Sequence, residues 1–344
     1  AGAWFGYQTR CQSLLQRGTF VADALFVASE AAPSRDITTV LARGTEDDPL
    51  ADYDYDICPA DALPALKVEK GSVVVPGGVR YRVLSLPTVE AMSPEALRCI
   101  AALQREGATV VWRKRPTRAP GLRWGASGDA DVRRLADGIF AAGAMDCPTA
   151  EALRRLGVEP DVKVESDGVS DVAWIHRRDA EADWYFVALP NAQSTSVELS
   201  FRTAGRQPEL WDAETGKVED ASDWRVENGR TRVTVPFSVC GSKFVVFRRP
   251  AEGTRTEKAV ELPATIQIDG PWEVRFPHGF APNRLAGAAP EEVVRFEKLA
   301  DWTASPLEGV RYFSGTATYR TTVALASDET TRAVALDVGD AQTV

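Results

Sequence analysis

The chain has 344 residues, a formal net charge of −9, 44% hydrophobic and 26% charged residues, which is room for two or three cores of ordinary soluble composition. The acidic balance leaves no basic stripe to neutralise a nucleic-acid backbone, and no apolar run is long enough to span a bilayer as a helix. Five cysteines (Cys11, Cys58, Cys99, Cys147, Cys240) show neither a disulfide framework nor metal spacing, and two histidines, His176 and His278, are too few and too separated to suggest a histidine metal site.

Trp4 to Gly18 reads as a helix with Phe5, Cys11, Leu14 and Leu15 as apolar positions and Gly18 as its stop. Phe20 to Val27 is apolar without alternation, as in a strand buried on both faces. The polar segment from Ser34 to Asp56 is a long connection, and short strands at Val68 to Lys70 and Gly71 to Val75 lead through the Pro76-Gly-Gly78 turn to the best-defined stretch. There Tyr81 to Leu86 is a strand, Ser93 caps a helix with Pro94 at its first position, Gly107 ends it, and Ala108 to Trp112 is the next strand. This βαβ pattern requires a parallel sheet. The loop after Leu86 carries no Gly-rich cradle and no nucleophile elbow. Glu90 is a lone carboxylate there, best read as solvated. An Arg, Pro and Gly-rich loop to Gly128 and helices over Asp131 to Phe140 and Thr149 to Leu156 close this α/β region near residue 165.

From Val169 the period changes to two. Val172 to His176, Asp183 to Leu189, Ser196 to Phe201, Pro208 to Trp211, Thr231 to Val235 and Lys243 to Phe247 are short strands separated by turn residues, the pattern of an antiparallel β-sandwich. Trp184, Trp211 and Trp224 are expected in its core. After a polar linker from Pro250 to Pro263, strands are expected at Ile266 to Ile268, Trp272 to Phe276, Val293 to Phe296, Tyr312 to Phe313, Thr316 to Val323 and Ala333 to Val338.

Three stretches resemble a known family. Arg10, Leu15, Gln16, Gly18 and Asp23 look like the end of a (β/α)8 barrel and the entry to the next domain in large bacterial glycoside hydrolases. Leu86 to Leu97 with Gly107 to Val111 resembles their glutamine-amidotransferase-like domain. Gly270 to Phe276, Leu299 to Trp302 and Tyr312 to Arg320 resemble the galactose-binding-like jelly roll that follows. With Glu209 to Gly216, the order is similar to α-L-rhamnosidases of glycoside hydrolase family 106.

That resemblance implies a multidomain α/β plus all-β chain. Its parts would be a terminal barrel helix (1–18), an amidotransferase-like parallel-sheet domain (19–165), a β-sandwich (166–252) and an incomplete jelly roll (253–344). It implies a parent that removes terminal rhamnose from plant polysaccharides or glycosides, with the catalytic carboxylates in a barrel preceding Ala1. On this reading no catalytic residue, cofactor or metal belongs to the chain. Calcium, where the family uses it, sits in that barrel. The partners are the barrel and a rhamnose-containing carbohydrate, with neither nucleic acid nor membrane, and the compartment is periplasmic or extracellular. Ser29 stands where the family pattern expects a glycine. A stand-alone carbohydrate-binding or scaffolding protein is the alternative, and an amidotransferase in its own right is disfavoured by the missing nucleophile elbow.

A glycosidase needs two carboxylates facing each other across the sugar, and 49 acidic residues offer no unique pair. Glu30, in a strand-end loop, is the candidate to reach a catalytic mouth. Trp302 and Tyr312 are candidate sugar platforms, with core packing as the competing reading, while Trp272 and Tyr319 are expected to point inward.

Overall fold

A computed structural model describes residues 2–30, 53–169, 172–191, 193, 195–251, 253–254, 266–277, 291–313 and 315–324. Most of the connection expected from Ser34 to Asp56, the greater part of the linker before Pro263, His278 and the strand expected at Ala333 lie outside these residues. The chain forms two units, Ala1–Lys258 and Ala259–Val344. No described helix is long and apolar enough to cross a membrane.

The first unit opens with helix α1 (Gly2–Leu15) and strands β1 (Thr19–Phe20), β2 (Ala24–Val27) and β3 (Tyr55–Cys58). A small antiparallel sheet follows, built from β4 (Lys67–Glu69), β5 (Ser72–Val74) and β6 (Arg80–Tyr81). Then come β7 (Val83–Ser85), α2 (Pro94–Arg105), β8 (Val110–Val111), α3 (Gly125–Ala141) and α4 (Thr149–Arg155). Strands β2, β3, β7 and β8 make a parallel sheet in the order β3-β2-β7-β8. Alternate side chains divide its two faces. Leu25, Val27, Leu84 and Val110 pack with Leu97 and Ile100 of α2 and Val132 and Ile139 of α3, whereas Ala24, Val83 and Val111 pack with Ala152 and Leu153 of α4. Both faces are therefore covered, as a parallel sheet requires. α2 is capped as its sequence predicts: the Ala96 N–H donates to Ser93 Oγ at 3.2 Å, and Gly107 has φ +105°.

The sandwich has two antiparallel sheets. Strands β9 (Val162–Val164), β10 (Ala173–Arg178), β11 (Asp183–Ala188), β12 (Thr195–Phe201), β13 (Arg206–Trp211), β14 (Val218–Asp220), β15 (Trp224–Glu227), β16 (Arg230–Phe237) and β17 (Ser242–Pro250) are ordered β1-β10-β11-β17-β13-β14 and β15-β16-β12-β9. Between them lie Tyr185, Val187, Leu199, Phe201, Val233, Val235, Val245, Phe247 and Trp224. The intervening residues of β11 and β17, Trp184, Phe244 and Val246, face outward onto Cys11, Leu14 and Leu15 of α1. Trp184 is thus buried under the terminal helix, outside the sandwich interior, and its Nε1–H donates to the Leu14 carbonyl at 2.9 Å. Burying each such large side chain is worth roughly 1.5–3 kcal/mol. Trp211 is only half-buried, with Arg248 over its ring.

Two single runs anticipated as continuous strands each feed two sheets. Phe20 pairs with Arg177 in the sandwich, and Ala24 pairs with Val83 in the parallel sheet. Tyr81 belongs to the small sheet and Val83 to the parallel one. The sandwich also begins earlier than anticipated, because Val162 already pairs with Phe201, and α3 begins at Gly125, within the expected loop.

The second unit contains β18 (Trp272–Pro277), β19 (Glu291–Phe296), the short helix α5 (Glu308–Arg311) and β20 (Thr318–Arg320), with sheet order β19-β18-β20. Val274, Phe276, Val310 and Phe313 form its core, with Trp272, Phe296 and Trp302 packed against them. Tyr312 and Phe313 are not a strand: the N–H groups of Tyr312 and Phe313 donate back to Glu308 and Val310, closing the end of α5. Ile266 to Ile268 makes no sheet pairing.

Candidate functional site at a charged seam

The two sheet-switching points lie side by side. The Arg82 N–H donates to the Asp23 carbonyl at 2.8 Å, and the Val21 N–H to the His176 carbonyl at 3.0 Å, so the α/β layers and the sandwich meet here through main-chain bonds. Arg202, one residue past β12, reaches in from the sandwich. Its Nη2 lies 3.1 Å from each Asp23 carboxylate oxygen, its Nη1 donates to the Glu159 carbonyl at 2.7 Å, and its Nε stands 3.4 Å from Asp161 Oδ1.

Behind Arg202 is a fully enclosed polar cluster. His176 Nδ1 is 2.6 Å from Asp161 Oδ2 and its Nε2 is 2.9 Å from Asp183 Oδ1. Tyr185 stacks on the imidazole at 3.9 Å, and its hydroxyl donates to Asp161 Oδ1 at 3.1 Å. Asp183 is also paired with Arg178 and, at 3.2 Å, with Arg206. Asp161, His176 and Tyr185 are buried to within about 1%. His176 occupies the inward parity of β10 with Trp174, and a buried polar residue there needs partners.

The electrostatics follow from this enclosure. Burial alone pushes His176 down, but the Asp161 and Asp183 carboxylates more than offset it and hold the imidazole above its ordinary value. Burial pushes Asp161 and Asp183 up, and their cationic partners, His176 first, carry both below the usual carboxylate range. For Asp23 burial wins over Arg202, leaving that carboxyl raised. An imidazolium donating from both nitrogens satisfies both carboxylates. With no open face, it cannot reach a substrate proton as a general base must. The cluster joins β9, β10 and β11 through buried ion pairs.

In front of the seam is a cleft of about 760 Å³ bounded by the Asp23 and Arg82 switch points, the Gly157 to Glu159 turn, Lys163, Arg202 and the Asn228 to Arg232 hairpin. Seven cationic side chains line it against four carboxylates. Arg230 is held entirely by neutral acceptors: Ser200 Oγ at 2.8 Å and the carbonyls of Pro160, Ser200 and Asp161 at 2.8, 2.7 and 3.2 Å. Burial lowers its pKa from the ordinary guanidinium value.

The sequence candidates lie elsewhere. Glu30 is exposed, and its Oε2 accepts the Ser93 N–H at 2.8 Å, at the cap of α2. Glu90 is solvated, with Lys114 at 3.6 Å and Arg118 at 4.0 Å. In the second unit, Trp302 meets Phe276 and Phe313 edge-on, each at 5.8 Å, as a core residue does, while Tyr312 is 65% exposed. Trp272 packs inward, but Tyr319 is 36% exposed at the edge strand, its ring touching Phe296 edge-on at 6.4 Å. Among the described residues no group of three or more His, Cys, Asp or Glu could hold a metal ion. Sequence reasoning missed the seam. Its available signals were a histidine in an apolar strand and the acid Asp161 at the start of β9.

A parallel-sheet domain joined to a β-sandwich in one compact unit, followed by a further sheet-rich unit, is the architecture of a multidomain glycoside hydrolase. The profile of the family described as alpha-L-rhamnosidase, glycoside hydrolase 106, matches residues 1–225, and the chain belongs to that family. The solved structure of the rhamnosidase from Novosphingobium sp. PP1Y is similar with a TM-score of 0.75 and 31% identity over 95% of this chain and 32% of that one. A protein of Formosa agariphila provisionally named a beta-glucuronidase is 32% identical over 271 residues, 78% of this chain and 22% of its own length. The chain thus spans between about a fifth and a third of the lengths of these relatives.

Proposed function

We propose that this chain is the accessory, non-catalytic part of an α-L-rhamnosidase, which buttresses a catalytic barrel in a protein that removes terminal rhamnose from plant polysaccharides or glycosides. The observation that carries the reading is the fate of the carboxylates at the seam and in the sheet core. Asp23, Asp161, Asp183 and Glu209 are each bound by arginine or histidine, and Glu30 is engaged by a helix cap. Hydrolysis needs one carboxylic acid and one carboxylate facing an open sugar site, and pairs locked to cations cannot alternate in that way. The α/β domain is then amidotransferase-like in shape without its nucleophile, and the second unit is a galactose-binding-like jelly roll with Tyr312 as its exposed sugar platform.

The test is hydrolysis of 4-nitrophenyl α-L-rhamnoside by the 344-residue chain beside a version extended to the length of its solved relative. Turnover confined to the extended protein is expected. Turnover by the 344-residue chain overturns the reading.

A further inference from the structure

We infer that the seam cleft is a binding site for an acidic saccharide, with the sugar carboxylate received by Arg82 and Arg230. The charge is the first reason. In a chain of net charge −9, this concavity is lined by seven cations and four acids. Although Glu69 and Asp183 outside the lining pair with Arg80 and Arg178, Arg82 and Arg230 are left over in a cleft whose low-dielectric walls focus their field. The second reason is that, among the described residues, neither arginine is ion-paired with a carboxylate. Arg230 gives four of its five N–H groups to hydroxyl and carbonyl oxygens and keeps one, on Nη1, for an incoming oxygen. Arg82 makes no ion pair within 4.0 Å among the described residues, although it lies close enough to Asp23 to favour its ionised form. Lys163, Arg202 and Arg232 at the same cleft are already paired, with Glu159, Asp23 and Glu227.

Shape and lining select the class of anion. A volume of about 760 Å³ falls within the roughly 300–1,000 Å³ typical of organic-ligand pockets and exceeds what a simple oxoanion fills. Among the described residues no aromatic side chain lines the cleft, so these residues offer no stacking surface for a nucleobase. Asn228 and the backbone of Gly157 and Gly229 supply the small polar groups that suit sugar hydroxyls. Its occupancy does not depend on the accessory reading.

Titration calorimetry of the 344-residue chain with digalacturonate, its methyl ester and sodium sulfate tests this. Digalacturonate is expected to bind, with affinity falling as salt rises. Arg82→Ala is expected to weaken it at least tenfold without moving the thermal midpoint, because Arg82 is exposed. Arg230→Lys, which keeps the charge but not the carbonyl fork, is expected to weaken it as well. Equal binding of the methyl ester, equal binding of sulfate, no binding, or an unchanged Arg82→Ala variant would each overturn the assignment.

Discussion

Glu30 and Ser93, 63 residues apart, are joined by one hydrogen bond: the Ser93 N–H donates to Glu30 Oε2 at 2.8 Å. Ser93 is itself the cap of α2, so the carboxylate sits where the helix exposes its unpaired amides and the positive end of its dipole. The loop that follows β2 is thereby fastened to α2.

This contact makes a prediction that separates a structural Glu30 from a catalytic one. Glu30→Gln keeps an acceptor oxygen and should cost less than Glu30→Ala, which should lose about 1 kcal/mol, read from urea midpoints. In the extended protein Glu30→Gln should retain rhamnoside turnover; loss of turnover with the urea midpoint unchanged would restore Glu30 to the chemistry.

Arg202 supports a stronger prediction. It joins Asp23 at the sheet switch to Asp161 beneath the sandwich, and both acids are almost fully buried. Removing one member of a buried charge pair leaves the other uncompensated, at a cost of about 3–5 kcal/mol. Arg202→Ala should therefore cost that much. Adding Asp23→Asn should recover part of it, because the second change removes the stranded charge. Additive losses in this double-mutant cycle would show that the two residues do not act as a pair.

Much of the α/β domain could be read from its sequence because its signals are local. Ser93, Pro94 and Gly107 fix α2 within about two residues of the ends they predict. The sheet switches could not be read that way. An apolar run such as Phe20 to Val27 announces burial on both faces, yet nothing in it says that its two halves pair with different sheets. Polar edge strands such as β14, exposed throughout, carry no alternation to detect. The seam draws Asp23, Asp161, His176 and Arg202 from four separate stretches, so only the fold assembles it. Tyr312 was misplaced for a related reason: a β-prone pair of aromatics follows a helix only one turn long, and the backbone bonds of that turn override strand propensity.

Gly18 shows a residue whose role exceeds its local signal. As a helix stop it needs only positive φ, and it has φ +63°. A Cβ there would also stand 2.5 Å from the Arg178 carbonyl oxygen and 2.8 Å from Trp184 Cη2. Gly18→Ala should thus lose more than the ~1 kcal/mol of an ordinary left-handed site, and Trp184 fluorescence should shift as α1 lifts from β11. Gly143, also at positive φ but with nothing within 4 Å, is the control. Equal losses at the two positions would mean that close approach plays no part.

The His176 cluster sets the dependence of stability on pH. His176 holds its proton more tightly folded than unfolded, so its contribution is complete below the unfolded value of about 6.5 and is lost as pH rises through the raised folded value. Asp161 and Asp183 hold protons less tightly when folded. Their contribution is complete above the unfolded value of about 3.9 and is lost as pH falls through the lowered values. Urea midpoints should therefore fall on the alkaline side from near-neutral pH upward and on the acid side below the carboxylate range. Arg178 and Arg206 pair with Asp183, and Arg202 with Asp161. In His176→Gln the two carboxylates lose their shared cation, so the variant should be weaker at every pH above the carboxylate range. It should also lack the alkaline decline, because nothing in the cluster then releases a proton there. A variant that keeps the wild-type alkaline slope would place the titrating group outside this seam.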